Sequence, residues 1–162
     1  MNGRQLVLVR HGETQWSRTG RHTGRTDVAL TELGKRQAAA LGSILRGRLF
    51  GAVLVSPLER ATETLRRAGL DVDRVWVLEE LVEWDYGDYE GLTTEEIRRS
   101  VPNWTIWTAP MPGGESAADV GRRADLAIGR VLDESGDVAT FAHGHLLRVL
   151  TARWLGLDVP SG

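Results

Sequence analysis

Short apolar runs alternate with longer amphipathic stretches along this chain, so strands and helices are predicted to take turns. Gln5–Val9 reads as a buried strand. Thr31 is a good N-cap for a helix running to about Gly47, with Leu33, Ala38, Leu41 and Leu45 along one side. Ala52–Ser56 reads as the second strand. Pro57 sits where a helix can begin, and Leu58 to about Arg67 follows. Val75–Leu78 is the third predicted strand. Thr94–Ser100 reads as a short helix ended by Pro102. Ser116 is predicted to cap a long helix to about Glu134, with Val120, Ala124, Ile128 and Val131 at helical spacing. Val138–Ala142 is the fourth strand and Gly144–Leu155 the last helix. Strands that alternate with helices predict an α/β fold in three layers: a mostly parallel sheet with helices on both faces.

Composition narrows the class. A chain of 162 residues without repeat, low-complexity segment or linker fits one domain over 1–162. A formal net charge of -2 gives no reason to expect nucleic-acid or membrane partners. There is no cysteine, so disulfides and thiolate metal sites are excluded. The apolar run within Met1 to Arg10 is too short for a signal peptide or a membrane span, and a cytoplasmic protein is the expectation. Every basic residue except Lys35 is arginine. Codon bias accounts for most of them, although the planar guanidinium suits phosphate recognition.

In open parallel sheets, ligands bind outside the carboxyl ends of the strands. The first strand runs into Arg10-His11-Gly12-Glu13 and the second into Ser56-Pro57-Leu58-Glu59-Arg60. The third is followed by Leu81-Val82-Glu83, and the fourth runs into His143-Gly144-His145. Two histidines, two arginines and a carboxylate are thus predicted to converge on one rim. A neutral imidazole can attack phosphorus in line and give a phosphohistidine. Arg10, Arg60 and a protonated His143 could hold the phosphoryl oxygens, helped by the amides and dipole of the helix after His143. Glu83 could protonate the leaving oxygen and then take a proton from water, with Glu80 and Asp85 as the competing carboxylates. Such a cycle needs no metal and no cofactor.

At these residues the chain resembles the histidine phosphatase superfamily, which includes the cofactor-dependent phosphoglycerate mutases. The resemblance runs from about Leu6 to Leu157. Leu8-Val9-Arg10-His11-Gly12-Glu13-Thr14 is similar to the family signature, with His11 in the nucleophile position. Arg21-His22-Thr23-Gly24 with Asp27, Leu30, Thr31 and Gly34 resembles the next block. Ser56-Pro57-Leu58-Glu59-Arg60-Ala61 resembles the block with the second phosphate-binding arginine. Glu83 and Gly87 stand where the family keeps its acid/base carboxylate, and Gly114-Glu115-Ser116 resembles the segment before the long helix. His143-Gly144 with Arg148 is similar to the second-histidine block. The resemblance implies catalysis by His11, Glu83 and His143. It implies phosphate or substrate contacts from Arg10, Arg60, Ser17, Thr23, Gly24 and Gly144. Ser17 replaces a frequent Asn, which implies a shorter or water-mediated contact, and Ala142 replaces a common Ser.

Glu83-Trp84-Asp85-Tyr86-Gly87-Asp88-Tyr89-Glu90-Gly91 looks closest to the subgroup with broad-specificity acid phosphatases and sedoheptulose-bisphosphatase-like enzymes. Only Leu92 to Gly113 separates it from Gly114, whereas the mutases carry a longer insertion. That favours hydrolysis of a small-molecule phosphate ester over phosphate transfer between substrates. Relative to the family the chain stops early, at Gly162. The expectation is a short member, or one that lacks a tail, with consequences for the sheet edge and for any cover over the site. Three alternatives stand beside the phosphatase: a primer-dependent mutase, a metallohydrolase built on His143-x-His145, and a non-catalytic phospholigand-binding module. His22 and His145 read as rim residues or loop contacts, with His145 also able to touch substrate, and Trp104 and Trp107 lie in a stretch that could cover the pocket. A homodimer is the expected assembly where one forms.

Overall fold

The structure is a computed structural model that describes residues 4–162. Four strands form one sheet: β1 (Leu6–Arg10), β2 (Phe50–Val55), β3 (Val75–Val77) and β4 (Asp137–Ala142). Their order is β1-β4-β2-β3, and every pairing is parallel. The side-chain alternation of β2 and β4 is apolar on both sides, which fits a sheet covered twice. Val53, Val55, Ala139 and Phe141 face one helical layer, made by α2 (Glu32–Ile44) and α3 (Glu59–Ala68). Ala52, Leu54, Val138 and Ala142 face the other, made by α5 (Ala117–Asp133) and α6 (Gly144–Trp154). The three-layer expectation therefore holds, with a sheet that is wholly parallel.

Local signals set most of the helix starts. Thr31 accepts from the Gly34 amide, and Thr93 and Ser116 each form reciprocal caps with Glu96 and Asp119, opening α4 (Thr94–Ser100) and α5. Three departures have physical causes. α2 ends at Ile44 rather than near Gly47, because Gly47 sits at φ 80° in the turn that follows. Its first leucine, Leu33, is 43% exposed, so the buried side of α2 runs through Ala38 and Leu45. A short helix that the apolar pattern did not signal, α1 (Gln15–Arg18), follows β1. It is opened by Thr14 and Ser17, which cap each other.

The edge strand β3 is unlike the others. Val75, Trp76 and Val77 are 48%, 37% and 60% exposed. Its middle residue is held from the sheet face: the Trp76 indole N–H donates to Glu134 at 2.8 Å, and the Arg130 guanidinium lies 4.2 Å from the ring centroid.

Candidate active site

The carboxyl ends of β1 and β4 lie side by side, with Arg10 in register with Ala142. His11 and His143 follow directly, and their ring centroids are 5.2 Å apart. Close backbone packing sets the first of these turns. A Cβ on Gly12 would lie 2.4 Å from the Gly34 carbonyl oxygen, so only glycine lets β1 run this close to α2.

Hydrogen bonds fix the protonation of both rings. His11 Nδ1 lies 2.7 Å from the Gly12 carbonyl oxygen. A carbonyl can only accept, so Nδ1 carries the proton and Nε2 holds a free lone pair. Burial, opposed by that backbone bond and reinforced by Arg60 and Arg10, lowers the His11 pKa to about 4. The ring is neutral across the physiological range.

His143 is fully buried. Arg60 Nε donates to its Nδ1 at 3.1 Å, and Nε2 lies 2.8 Å from Ser56 Oγ. A guanidinium cannot accept, so Nδ1 is bare and Nε2–H donates to Ser56. Burial, then Arg60, His11 and Arg10, hold its pKa well below the ordinary value. Burial and four cationic or titratable neighbours, Arg60, His11, Arg10 and Arg123, thus oppose the protonated His143 that the sequence suggests.

Glu83 is buried, and three backbone amides point at its carboxylate. Trp84 and Leu146 donate to Oε1 at 3.0 and 2.8 Å, and His145 donates to Oε2 at 3.1 Å. Glu83 therefore caps α6 from a distant loop. Of the α6 amides expected to serve a phosphate, those of His145 and Leu146 are spent on this carboxylate, while Gly144 lines the cavity. Arg123 on α5 grips the same loop. It donates to the carbonyls of Glu80 (2.8 Å), Val82 (2.9 Å) and Glu83 (3.4 Å) and to both oxygens of Glu115 (2.7 Å each). Neither competing carboxylate takes this place: Asp85 pairs with Arg25 at 2.9 Å, and Glu80 meets the clamp only through its carbonyl.

A cavity of about 270 Å³ joins these groups. Arg10, His11, Ser17, Thr23, Glu83 and Gly144 line it, together with Gly20, Arg21, His22, Tyr86, His145 and Arg148. Among the described residues Arg10 makes no hydrogen bond or ion pair with a side chain, so its guanidinium is free for a ligand. Gly144 lies against that side chain: a Cβ there would stand in van der Waals contact with it, 3.4 Å from Arg10 Nε. A second opening beside Glu13, Arg18 and Gln37 also reaches Arg10 and His11.

Other predicted contacts sit differently. Arg60 is buried behind His143. It gives three more of its five N–H groups to the carbonyls of Thr26 (2.9 Å), Gly24 (2.8 Å) and Thr23 (3.3 Å), and its Nη1 lies 3.9 Å from Asp27. Gly24 is off the cavity wall too: its amide donates to Glu90, and a Cβ there would lie 2.7 Å from the Trp84 carbonyl oxygen. The Ser17 hydroxyl donates to the Thr14 carbonyl, so its contact with a ligand would have to replace or share that bond.

Tyr86 and Arg148 were not singled out for the wall, and His22 and His145 stand on it rather than at its rim. The signal for Arg148 was available, because it lies one helical turn beyond Gly144 and so on the same face of α6. Trp104 and Trp107 form a second layer, with ring centroids 5.2 Å from His22 and 5.7 Å from His145. His143 and His145 do not converge on one point, because both nitrogens of His143 are committed to Arg60 and Ser56. Among the described residues no group of three or more His, Cys, Asp or Glu side chains is arranged to hold a metal.

Known proteins are similar to this chain over nearly all of its length. An acid phosphatase of Mycobacterium tuberculosis is 47% identical over 98% of this chain and 79% of its own. A sedoheptulose 1,7-bisphosphatase of Saccharomyces cerevisiae is 36% identical, over 97% of this chain and 69% of its own. A solved M. tuberculosis open-reading-frame product superposes with a TM-score of 0.90 at 45% identity, covering 98% of this chain and 83% of that one. A mycobacterial glucosyl-3-phosphoglycerate phosphatase solved with VO3 gives 0.83 at 35% identity, covering 98% and 85%. Residues 6–162 match the histidine phosphatase superfamily, branch 1, and the chain belongs to that family.

Proposed function

We propose that this protein is a phosphatase that hydrolyses phosphate monoesters of small metabolites through a phosphohistidine at His11. One observation carries the reading: the Gly12 carbonyl holds the proton on His11 Nδ1, leaving Nε2 bare on the wall of a cavity shared with Arg10 and Glu83. In the first step Nε2 attacks phosphorus, the bond from phosphorus to the ester oxygen breaks, and Glu83 gives that oxygen a proton. The alcohol leaves and Glu83 is left as a carboxylate. In the second step water attacks phosphorus, the P–N bond breaks, and the water proton returns to Glu83. Arg10 balances the charge on the phosphoryl oxygens. His143 stands with its ring centroid 5.2 Å from that of His11, held by Arg60 and Ser56, and taking a proton beside a dianion would require Arg60 Nε to release its Nδ1.

Phosphatase names among the relatives support the reading, and so does the short segment after Glu83. The cycle needs no metal. Rapid quenching of the enzyme with a 32P-labelled ester tests it. Label should appear on protein in the acid-labile, base-stable form of phosphohistidine. His11→Ala should lose label and turnover yet still bind vanadate. Turnover near wild type in that variant would remove His11 from the chemistry.

A further inference from the structure

His145 is the residue of the cavity wall next to the acid that meets the leaving oxygen, because its amide donates to Glu83 Oε2 at 3.1 Å. The wall beside Glu83 is therefore where the rest of the departing alcohol must lie. Tyr86 fixes the state of this histidine. The phenol is 2% exposed, and its oxygen lies 2.6 Å from His145 Nδ1, the only hydrogen-bond partner it has among the described residues. Nδ1 is the one acceptor within reach of this buried hydroxyl among the described residues, so the phenol donates to it, and burial, reinforced by Glu83, pushes the phenol pKa well above its ordinary value and keeps the proton on oxygen. Nδ1 then accepts, and the ring proton sits on Nε2.

The ring is also neutral. Burial, with Arg148 and Arg10 at its side, lowers its pKa against the pull of Glu83. Packing holds its orientation. Tyr86, Trp107 and His22 stand around it with centroids 5.9, 5.7 and 6.0 Å away. His22 is neutral as well, its pKa lowered by burial and by His145 to about 4. The alcohol side of the cavity thus offers a fixed, uncharged N–H donor, whereas Arg10 serves the phosphoryl side. An uncharged donor pairs well with a neutral oxygen, and leaves no unpaired charge when it does so.

We propose that His145 is a specificity-determining residue: its Nε2–H donates to a hydroxyl oxygen of the leaving alcohol, so the site prefers phosphate esters of polyols and sugars over plain alkyl phosphates. The proposal rests on the phosphatase reading above. Glycerol phosphate and n-propyl phosphate test it, since both release a primary alcohol and differ in two hydroxyls. Wild-type enzyme should favour glycerol phosphate in kcat/KM by about tenfold, the worth of one net neutral hydrogen bond at its upper end. His145→Phe keeps a ring but loses the donor, and the preference should fall to near unity. His145→Gln sets an amide N–H close to the place of Nε2 and should keep most of it.

A wild-type enzyme that hydrolyses both esters equally overturns the proposal without any variant. So does a His145→Phe enzyme that loses activity on both by one factor and keeps its preference. Failure of the phosphatase reading looks different, because then the wild type releases inorganic phosphate from neither ester.

Discussion

Replacing Glu83 by Gln is the perturbation that separates the two halves of the proposed cycle. The amide cannot donate a proton of useful acidity, so breaking the ester bond suffers when the leaving alkoxide is a strong base. General acid catalysis is worth about 10²–10⁴-fold, and alkyl phosphates should lose about that much in kcat/KM. That parameter reports events through phosphorylation of His11. A nitrophenyl ester needs little help from an acid, so its kcat/KM should fall by about tenfold or less. The second half also depends on Glu83, as the base for water. Phosphoenzyme should therefore accumulate, and stopped-flow should show a burst of nitrophenolate matching the enzyme concentration.

The same substitution has a thermodynamic cost that the geometry allows to be estimated. Three amides point at the carboxylate at 2.8 to 3.1 Å, two of them from the first turn of α6. A Gln side chain keeps one acceptor oxygen and turns an N–H₂ towards a donor. At least one buried amide is then unpaired, which costs about 1–3 kcal/mol. For a chain of this size that is a fall in Tm of roughly 2–12 °C. Equal losses in kcat/KM for alkyl and nitrophenyl esters, with no burst, would refute the assignment of Glu83 as acid and base. An unchanged Tm would refute its part in capping α6.

Arg123→Met should loosen the Glu83 loop without touching the cavity, so alkyl esters should lose kcat/KM severalfold more than nitrophenyl esters; a uniform loss would mean that Arg123 serves folding alone. His11 titrates at about 4 in the folded protein against 6.5 in the open chain, so the acid limb of kcat/KM for the free enzyme should fall near pH 4, and a limb near 6.5 would contradict the burial argument. His11 and His22 have lowered pKa values, so the unfolded chain binds more protons between pH 6.5 and about 4; stability should decline as pH falls through that window, and a flat Tm would disprove it. Asp27 accepts the Glu59 amide at 2.9 Å and so opens α3, and Asp27→Ala should cost about 0.5–2 kcal/mol in urea unfolding.

Much of the rim was legible because it depends on local pattern plus one topological rule. Apolar runs identify the strands, and a parallel sheet brings their ends together. What stayed hidden depends on long-range contact. Leu58 and Pro57 suggest where α3 begins, but the cap is Asp27, from a loop 32 residues earlier. No local signal tells that Glu83 would cap α6, or that Arg123 would hold its loop from α5. The charge of His143 is hidden for a related reason: the residue type allows protonation, and only the packed neighbours oppose it. Arg60 carries the same lesson: no local signal tells that four of its five N–H groups go to His143 and to the carbonyls of Thr23, Gly24 and Thr26.

The strand made last along the chain occupies an inner place in the sheet, between β1 and β2. During synthesis the earlier strands must wait with open flanks until β4 arrives to zip them, a non-local step that contact-order arguments make slow. The two imidazoles ride on β1 and β4, so neither half-built chain nor a form with β4 displaced can contain the reactive pair. Turnover is then a readout of completed assembly. A refolding experiment that follows product release should see nothing during collapse and gain all of its signal as that last insertion occurs.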